Sequence, residues 1–376
     1  MFKRFFVVIF CLFVFFVAHQ VYAKNIKIGV VLPMTGVVAS FGQSSWHGIE
    51  VAKSIMPTLK DGNKIKLILL DDKGDKVEAA NAVSRLIYRD KVKAIIGPLT
   101  SGNVLSGENI AEKAHIPLLT HSATNPLVTK NKKYISRVCF IDSFQGKVAA
   151  KYAINNLHAK TAAVIIDISE DYSVGLAKFF IKDFEKMGGK IVTKTFTQAN
   201  DNDFSAQVSL IKNKNPDIIY MPCFYQALAL FARQAREYGL SQAILAGDGA
   251  SEPALIKVGG KSVNGLTFTT HFDPKAAVTV LGKEFINAYK RKYKDNPSTL
   301  AALGADGYFI MVDAINRAGG VNASSENINK EIRKTKNFKG VTGIISIDQK
   351  TGNAIKSAVI QKVKNGKFVY VTTINP

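Results

Sequence analysis

Short aliphatic and β-branched runs alternate with longer amphipathic spans along most of this chain, and that alternation limits the possible folds more than any single motif does. Ile26–Leu32, Lys64–Asp71 and the runs opening at Ile95 and Ile116 read as strands. Between them lie helical spans near Ser44–Ile55, over Lys76–Tyr88, and from the Thr100-Ser101-Gly102 turn to His115. In the second of these, Val77, Ala80, Val83 and Ile87 fall on one face, the signature of a helix with one side against a core. Nearly continuous apolar strands are those buried on both faces of a parallel sheet, and parallel strands require helical crossovers. The rhythm restarts after Tyr134–Phe140. Strands are expected at Thr161–Ile168, Ile191–Phe196, Asp217–Met221, Ala243–Ala246 and Leu266–Thr270, with helices over Val174–Met187, Phe204–Lys212 and Ala227–Tyr238 between them. Gly188-Gly189 and Gly239 supply the stops. Three further helical spans (Lys283–Lys294, Leu300–Ala318, Asn327–Lys334) and two or three strands between Val341 and Thr373 close the chain. A chain of 376 residues is long for one core,. The expected fold class is therefore α/β, with two doubly wound, Rossmann-like lobes and a ligand cleft between the carboxyl ends of their strands.

The first 23 residues depart from this pattern. Lys3 and Arg4 precede an unbroken apolar run, Phe5–Val17, and Val21-Tyr22-Ala23 offers a cleavage site, which together form a secretory signal with a cut after Ala23,. The competing reading, a membrane anchor, needs about 20 apolar residues, more than this run holds. Cys11 lacks the small residues that a lipoprotein cleavage site places before it. An exported protein in the periplasm is expected, beginning at Lys24 with Cys139 and Cys223 as its cysteines, read as two buried free thiols. The formal charge of +21, or +19 without Lys3 and Arg4, raises nucleic acid or an anionic membrane as partners,. The lysines are scattered (Lys53, Lys93, Lys113, Lys147, Lys182, Lys212, Lys257), which describes a solvated basic surface and no nucleic-acid partner,.

Two polar turns stand out: Thr100-Ser101-Gly102, and Thr120-His121-Ser122-Ala123-Thr124. Where parallel strands end at helix starts, free N–H groups and the helix dipole favour a bound carboxylate or phosphate. Ser101 and Thr124 can equally be plain N-caps. Signs of catalysis are missing from the sequence. Leu32-Pro33-Met34-Thr35-Gly36 is not a dinucleotide fingerprint, and neither a phosphate loop nor a nucleophile elbow occurs,. His47, His115, His121, His158 and His271 show no metal-ligand spacing, and Asp71-Asp72-Lys73-Gly74-Asp75 reads as a surface turn, not a calcium loop,. No cofactor, metal site or catalytic residue is expected.

Against this background the chain resembles the leucine/isoleucine/valine-binding proteins of ABC importers, the type I periplasmic substrate-binding proteins. The resemblance runs through IKIGVVLPMTGVVASFGQ, LLDDKGD, IIGPLTSG, PLLTHSATNP, RVCFIDSFQG, EDYSVGLA, DIIYMPCFYQALALFARQAREYGL and LAGDGA, in that order, over essentially the whole chain from Lys24. The resemblance implies that Ser101 and Thr124, with main-chain groups of Ser122 and Ala123, grip the carboxylate of an amino acid. It implies that Asp248 receives the α-ammonium and that Phe41, Tyr172 and Tyr225 form aromatic walls. Several relatives have Glu where Asp248 stands and Tyr where Phe41 stands, and some bridge the positions of Gly74 and Thr100 by a disulfide that this chain cannot form. The implied function is capture of a branched-chain amino acid by a monomer that delivers it to an inner-membrane ABC permease. Another amino acid, an amide or a urea-like ligand, or docking on a chemoreceptor, remain alternatives; an enzyme on the same scaffold is the rival class. The implied lobes are 24–142 with 273–355, and 143–272 with 356–376.

Overall fold

The structure, a computed structural model, describes residues 24–376; the expected signal segment, its cut after Ala23, and Cys11 lie outside the described residues. The first half runs β1 (Asn25–Leu32), α1 (Ala39–Ile55), β2 (Lys64–Asp71), α2 (Lys76–Tyr88), β3 (Ala94–Ile96), α3 (Ser101–Ala114), β4 (Leu118–Thr120) and β5 (Ile135–Arg137). Next come α4 (Asp142–Asn155), β6 (Thr161–Asp167), α5 (Asp171–Lys186), β7 (Lys190–Thr197), α6 (Ser205–Lys214), β8 (Ile218–Tyr220), α7 (Tyr225–Glu237), β9 (Ala243–Ala246), α8 (Ala254–Gly259) and β10 (Thr267–Thr270). The chain ends with α9 (Val280–Tyr293), α10 (Thr299–Arg317), α11 (Ser325–Arg333), β11 (Phe338–Gly340), β12 (Gly343–Ile347), β13 (Ala354–Ile355), β14 (Ala358–Lys364) and β15 (Lys367–Ile374).

These elements form a five-stranded sheet ordered β2-β1-β3-β4-β5 and a seven-stranded sheet ordered β15-β14-β10-β9-β8-β6-β7. The first is parallel throughout, and in the second only β14 and β15 run antiparallel to their neighbours. The two lobes therefore each present a row of carboxyl-end turns. Three connections join the sheets: after β5, after β10, and the short Lys356-Ser357 link between β13 and β14. A small sheet, β11-β12-β13, precedes the last of these.

Local chemistry explains most of the boundaries. The Asp71–Asp75 turn is tied up internally: Asp71 accepts from Met34 N and Lys73 N, Asp72 from Gly74 N, and Asp75 caps α2 through Val77 N and Glu78 N. Although it comes late in the chain, α10 is buried almost all round and packs on α1 beside the first sheet. The two helices approach so closely that a Cβ on Gly48 would lie 1.8 Å from the Ala301 carbonyl oxygen.

Several helices start earlier than the sequence expectation: α1 at Ala39, not Ser44, so Phe41 sits in its first turn; α5 at Asp171, not Val174; α7 at Tyr225, not Ala227; and α9 at Val280, not Lys283. The short α8 was not anticipated, and neither was α4. Its buried residues include Asp142, Gln145 and Gly146 along with Val148, Ala149 and Tyr152, which blurs the apolar stripe on which recognition of a helix depends. Cys139 and Cys223 are buried free thiols, and burial pushes both up to about 12.

Candidate functional site in the interlobe cleft

On the first lobe, the turn after β3 is capped by Thr100, whose hydroxyl accepts from Asn103 N at 3.4 Å. The capping role weighed for Ser101 thus belongs to its neighbour. Ser101, the first residue of α3, accepts from Asn125 N across the two turns. Likewise Asn125, not Thr124, caps the short 3-10 turn Pro126–Thr129. The Thr124 hydroxyl is buried and faces the Asp142 carboxyl.

The turn holding these residues is shaped by Arg137, which lies fully buried at the end of β5. Its guanidinium donates to the carbonyls of Ala123 (2.6 Å) and Asn125 (2.9 Å) and to the Thr129 hydroxyl (3.2 Å). Ala123 N is also occupied, by Thr120 Oγ1. The main-chain groups of Ala123 therefore serve the turn itself, while Ser122 faces the cavity.

The second lobe contributes Asp248, at the start of a short 3-10 turn after β9. Its Oδ1 accepts from Gln145 Nε2 at 2.8 Å, and its Oδ2 lies 3.2 Å from His271 Nε2. Tyr172, in the first turn of α5, accepts from Gly249 N through its hydroxyl and stacks flat on Phe224 at 5.3 Å. The absence of a side chain at Gly247 is required here, since a Cβ there would stand 2.4 Å from the Tyr172 hydroxyl.

These groups line one narrow cavity between the lobes, open at its mouth. Phe41, Leu99, Thr100, Ser101, Ser122 and Leu300 line it from the first lobe, and Tyr172, Phe224, Asp248 and Gly249 from the second. Hydroxyls from one lobe, a carboxylate from the other and aromatic rings from both suit a small zwitterion with an apolar side chain,. Of the residues singled out in the sequence, Phe41, Ser101, Ser122, Tyr172 and Asp248 meet in this cavity; Ala123 and Thr124 lie behind its wall. Tyr225 departs from the wall role assigned to it. It sits behind Phe41 (ring centroids 5.0 Å) with its hydroxyl on the Val37 carbonyl, and the extended residue before α7, Phe224, presents its ring instead. Both are aromatic residues at one helix start, so only the backbone conformation could decide between them.

A second carboxyl went unnoticed in the sequence. Asp142, at the start of α4, is fully buried beside the Thr124 hydroxyl. Burial, and then the Asp248 charge, pushes it up to about 8, so it is mainly protonated at neutral pH. Among the described residues, no group of three or more His, Cys, Asp or Glu side chains is placed to hold a metal ion.

Comparison with known proteins decides the family. The model of a periplasmic binding protein family matches residues 25–367. The chain belongs to that family. An amino acid binding protein of Pseudomonas aeruginosa is 32% identical over 256 residues, spanning 67% of this chain and 68% of its own. A Leu/Ile/Val-binding protein homolog of Brucella melitensis is 28% identical over 356 residues, 94% of this chain and 95% of its own. Among solved structures, the leucine binding protein LivK of Thermotoga maritima superposes with a TM-score of 0.91 at 48% identity, over 93% of this chain and 99% of that one. LivJ of Streptococcus pneumoniae, solved in complex with isoleucine, gives 0.87 at 32% identity, over 94% of this chain and 100% of that one. For a periplasmic binding protein, two parallel sheets facing across a cleft are the working parts.

Proposed function

We propose that this protein is exported to the periplasm, captures a branched-chain amino acid between its two lobes, and hands it to an inner-membrane ABC permease without chemical change. The observation that carries the reading is the meeting of Ser101 and Ser122 from one lobe with Asp248 from the other, around a cavity walled by Phe41, Tyr172 and Phe224. Ser101 and Ser122, backed by Thr124, receive the carboxylate; Asp248 receives the ammonium; the rings and Leu300 receive the aliphatic side chain, where each buried methylene contributes about 0.8 kcal/mol. The lobes are 24–142 with 273–355, and 143–272 with 356–376, hinged near Asp142, Phe272 and Lys356. Binding favours the closed arrangement because only there do both ends of the ligand find partners.

Calorimetry with leucine, isoleucine, valine, alanine and an aliphatic amide tests the proposal. Tight binding of the branched amino acids, weaker binding of alanine and none of the amide is the expected order. Binding of the amide without any branched amino acid would sink the ligand assignment.

A further inference from the structure

The Asp248 carboxylate is not left to find its own orientation. Gln145, from α4, uses both of its amide hydrogens, one on Asp248 Oδ1 and one on Thr269 Oγ1, each at 2.8 Å. His271 approaches the other oxygen from the connection that follows β10. Its ring is almost wholly buried and lies against Phe140 of the first connection, centroids 3.7 Å apart and planes 27° from parallel. Two connections between the lobes thus meet on the side chain that holds the acceptor.

From this geometry we infer that His271 is a positioning residue for ligand recognition: as a neutral Nε2–H donor it fixes Asp248 without cancelling its charge, reserving that charge for the ammonium of an amino acid. The inference rests on the proposed function of the cleft. A carboxylate only accepts hydrogen bonds, so a neutral imidazole at 3.2 Å must carry its proton on Nε2,. That leaves Nδ1 bare, and Nδ1 is indeed buried without a partner. Had a lysine or arginine stood here, Asp248 would already be paired and an incoming ammonium would have to displace that partner. Charged and titratable groups bear on the arrangement from several elements: Asp248 faces His271 directly, Lys356 acts on it from the third connection, Asp142 faces Asp248 from α4, and Cys139, Tyr172 and Tyr220 feel the Asp248 charge. Burial lowers the His271 pKa; Asp248 opposes that shift and Lys356 reinforces it.

The consequence is an acid-sensitive acceptor. Protonating His271 converts the pin into an internal ion pair that competes with the ligand, so affinity falls on the acid side. The test measures leucine affinity by calorimetry from pH 8 to pH 5 for wild type and for His271→Gln, whose amide can donate but cannot titrate. At pH 8 the variant, whose amide can still donate, should bind within about threefold of wild type. As pH falls toward 5 the ratio of the two dissociation constants should shift in favour of the variant. Taking the ratio removes contributions from other groups, Asp142 included. A ratio constant with pH refutes the acid-sensitive acceptor, while failure of wild type to bind any amino acid overturns the reading of the cleft itself. Imidazole nitrogen shifts of the wild-type protein supply a measurement that needs no variant: a neutral Nε2–H tautomer at pH 7.5 supports the assignment, and a cationic ring or an Nδ1–H tautomer refutes it.

Discussion

A single carboxylate carries the heaviest demand in this cleft. If Asp248 holds the ligand ammonium, Asp248→Ala leaves a buried cation facing Gln145 and His271, both of them donors. Breaking a buried charged pair in this way costs about 3–5 kcal/mol, so the dissociation constant for leucine should rise at least a hundredfold by calorimetry, with the fold retained by circular dichroism. Unchanged affinity would place the ammonium elsewhere. Single residues were also where the sequence was hardest to read. The amino acids themselves pointed to the hydroxyl-rich turn, but which of Thr100 and Ser101 caps α3 depends on one residue of register. The same holds for Phe224 against Tyr225. Arg137, Gln145 and His271 act through contacts 8 or more residues away in sequence, and no local pattern announces such pairs.

At the scale of elements the sequence was far more legible, because parallel strands and amphipathic helices write their burial into periodicity. β1, β2, α2 and β6 follow directly from it. Among the helices that escaped or shifted, α4 is the one whose buried face is most polar. Burial of Asp142 and Gln145 serves a ligand site at the expense of a clean apolar stripe. The α1–α10 contact depends on a feature no hydropathy pattern reveals, namely the lack of a side chain at Gly48. Since α10 belongs to the last third of the chain and α1 to its start, this contact also fastens the returning segment to the first lobe. Gly48→Ala should force the helices apart and destabilise the protein by about 3 kcal/mol, lowering the Tm by roughly 5–10 °C. A melting curve identical to wild type would show that the helices can separate at little cost.

Across the whole molecule, two of the contacts that bridge the lobes away from the cavity differ in their energetics. Lys76 reaches Asp171 at 2.8 Å, but both side chains are well exposed, 47% and 39%; such a pair contributes about 0–1 kcal/mol and is screened by salt. Glu252, from the second lobe, is 2% exposed and accepts from the Ser40 and Ser44 hydroxyls of α1 at 2.8 and 2.9 Å, with its Oε2 unpartnered. Burial pushes this carboxyl up to about 7 from an ordinary 4.5, against the pull of the two serines. When the lobes separate, Glu252 returns to water and to its ordinary range, so closing takes up a proton. That contribution to closure is complete below pH 4.5, is lost progressively as pH rises toward 7, and stays lost above it,. Ligand affinity is coupled to closure, so the ratio of dissociation constants for wild type and Glu252→Gln, which cannot ionise, should rise by about tenfold or more between pH 5 and pH 8. Lys76→Ala should shift affinity by no more than about fivefold, and less at high salt. A pH-independent ratio for Glu252→Gln would mean that the serine contacts persist in the open state and that closure is governed by the ligand alone.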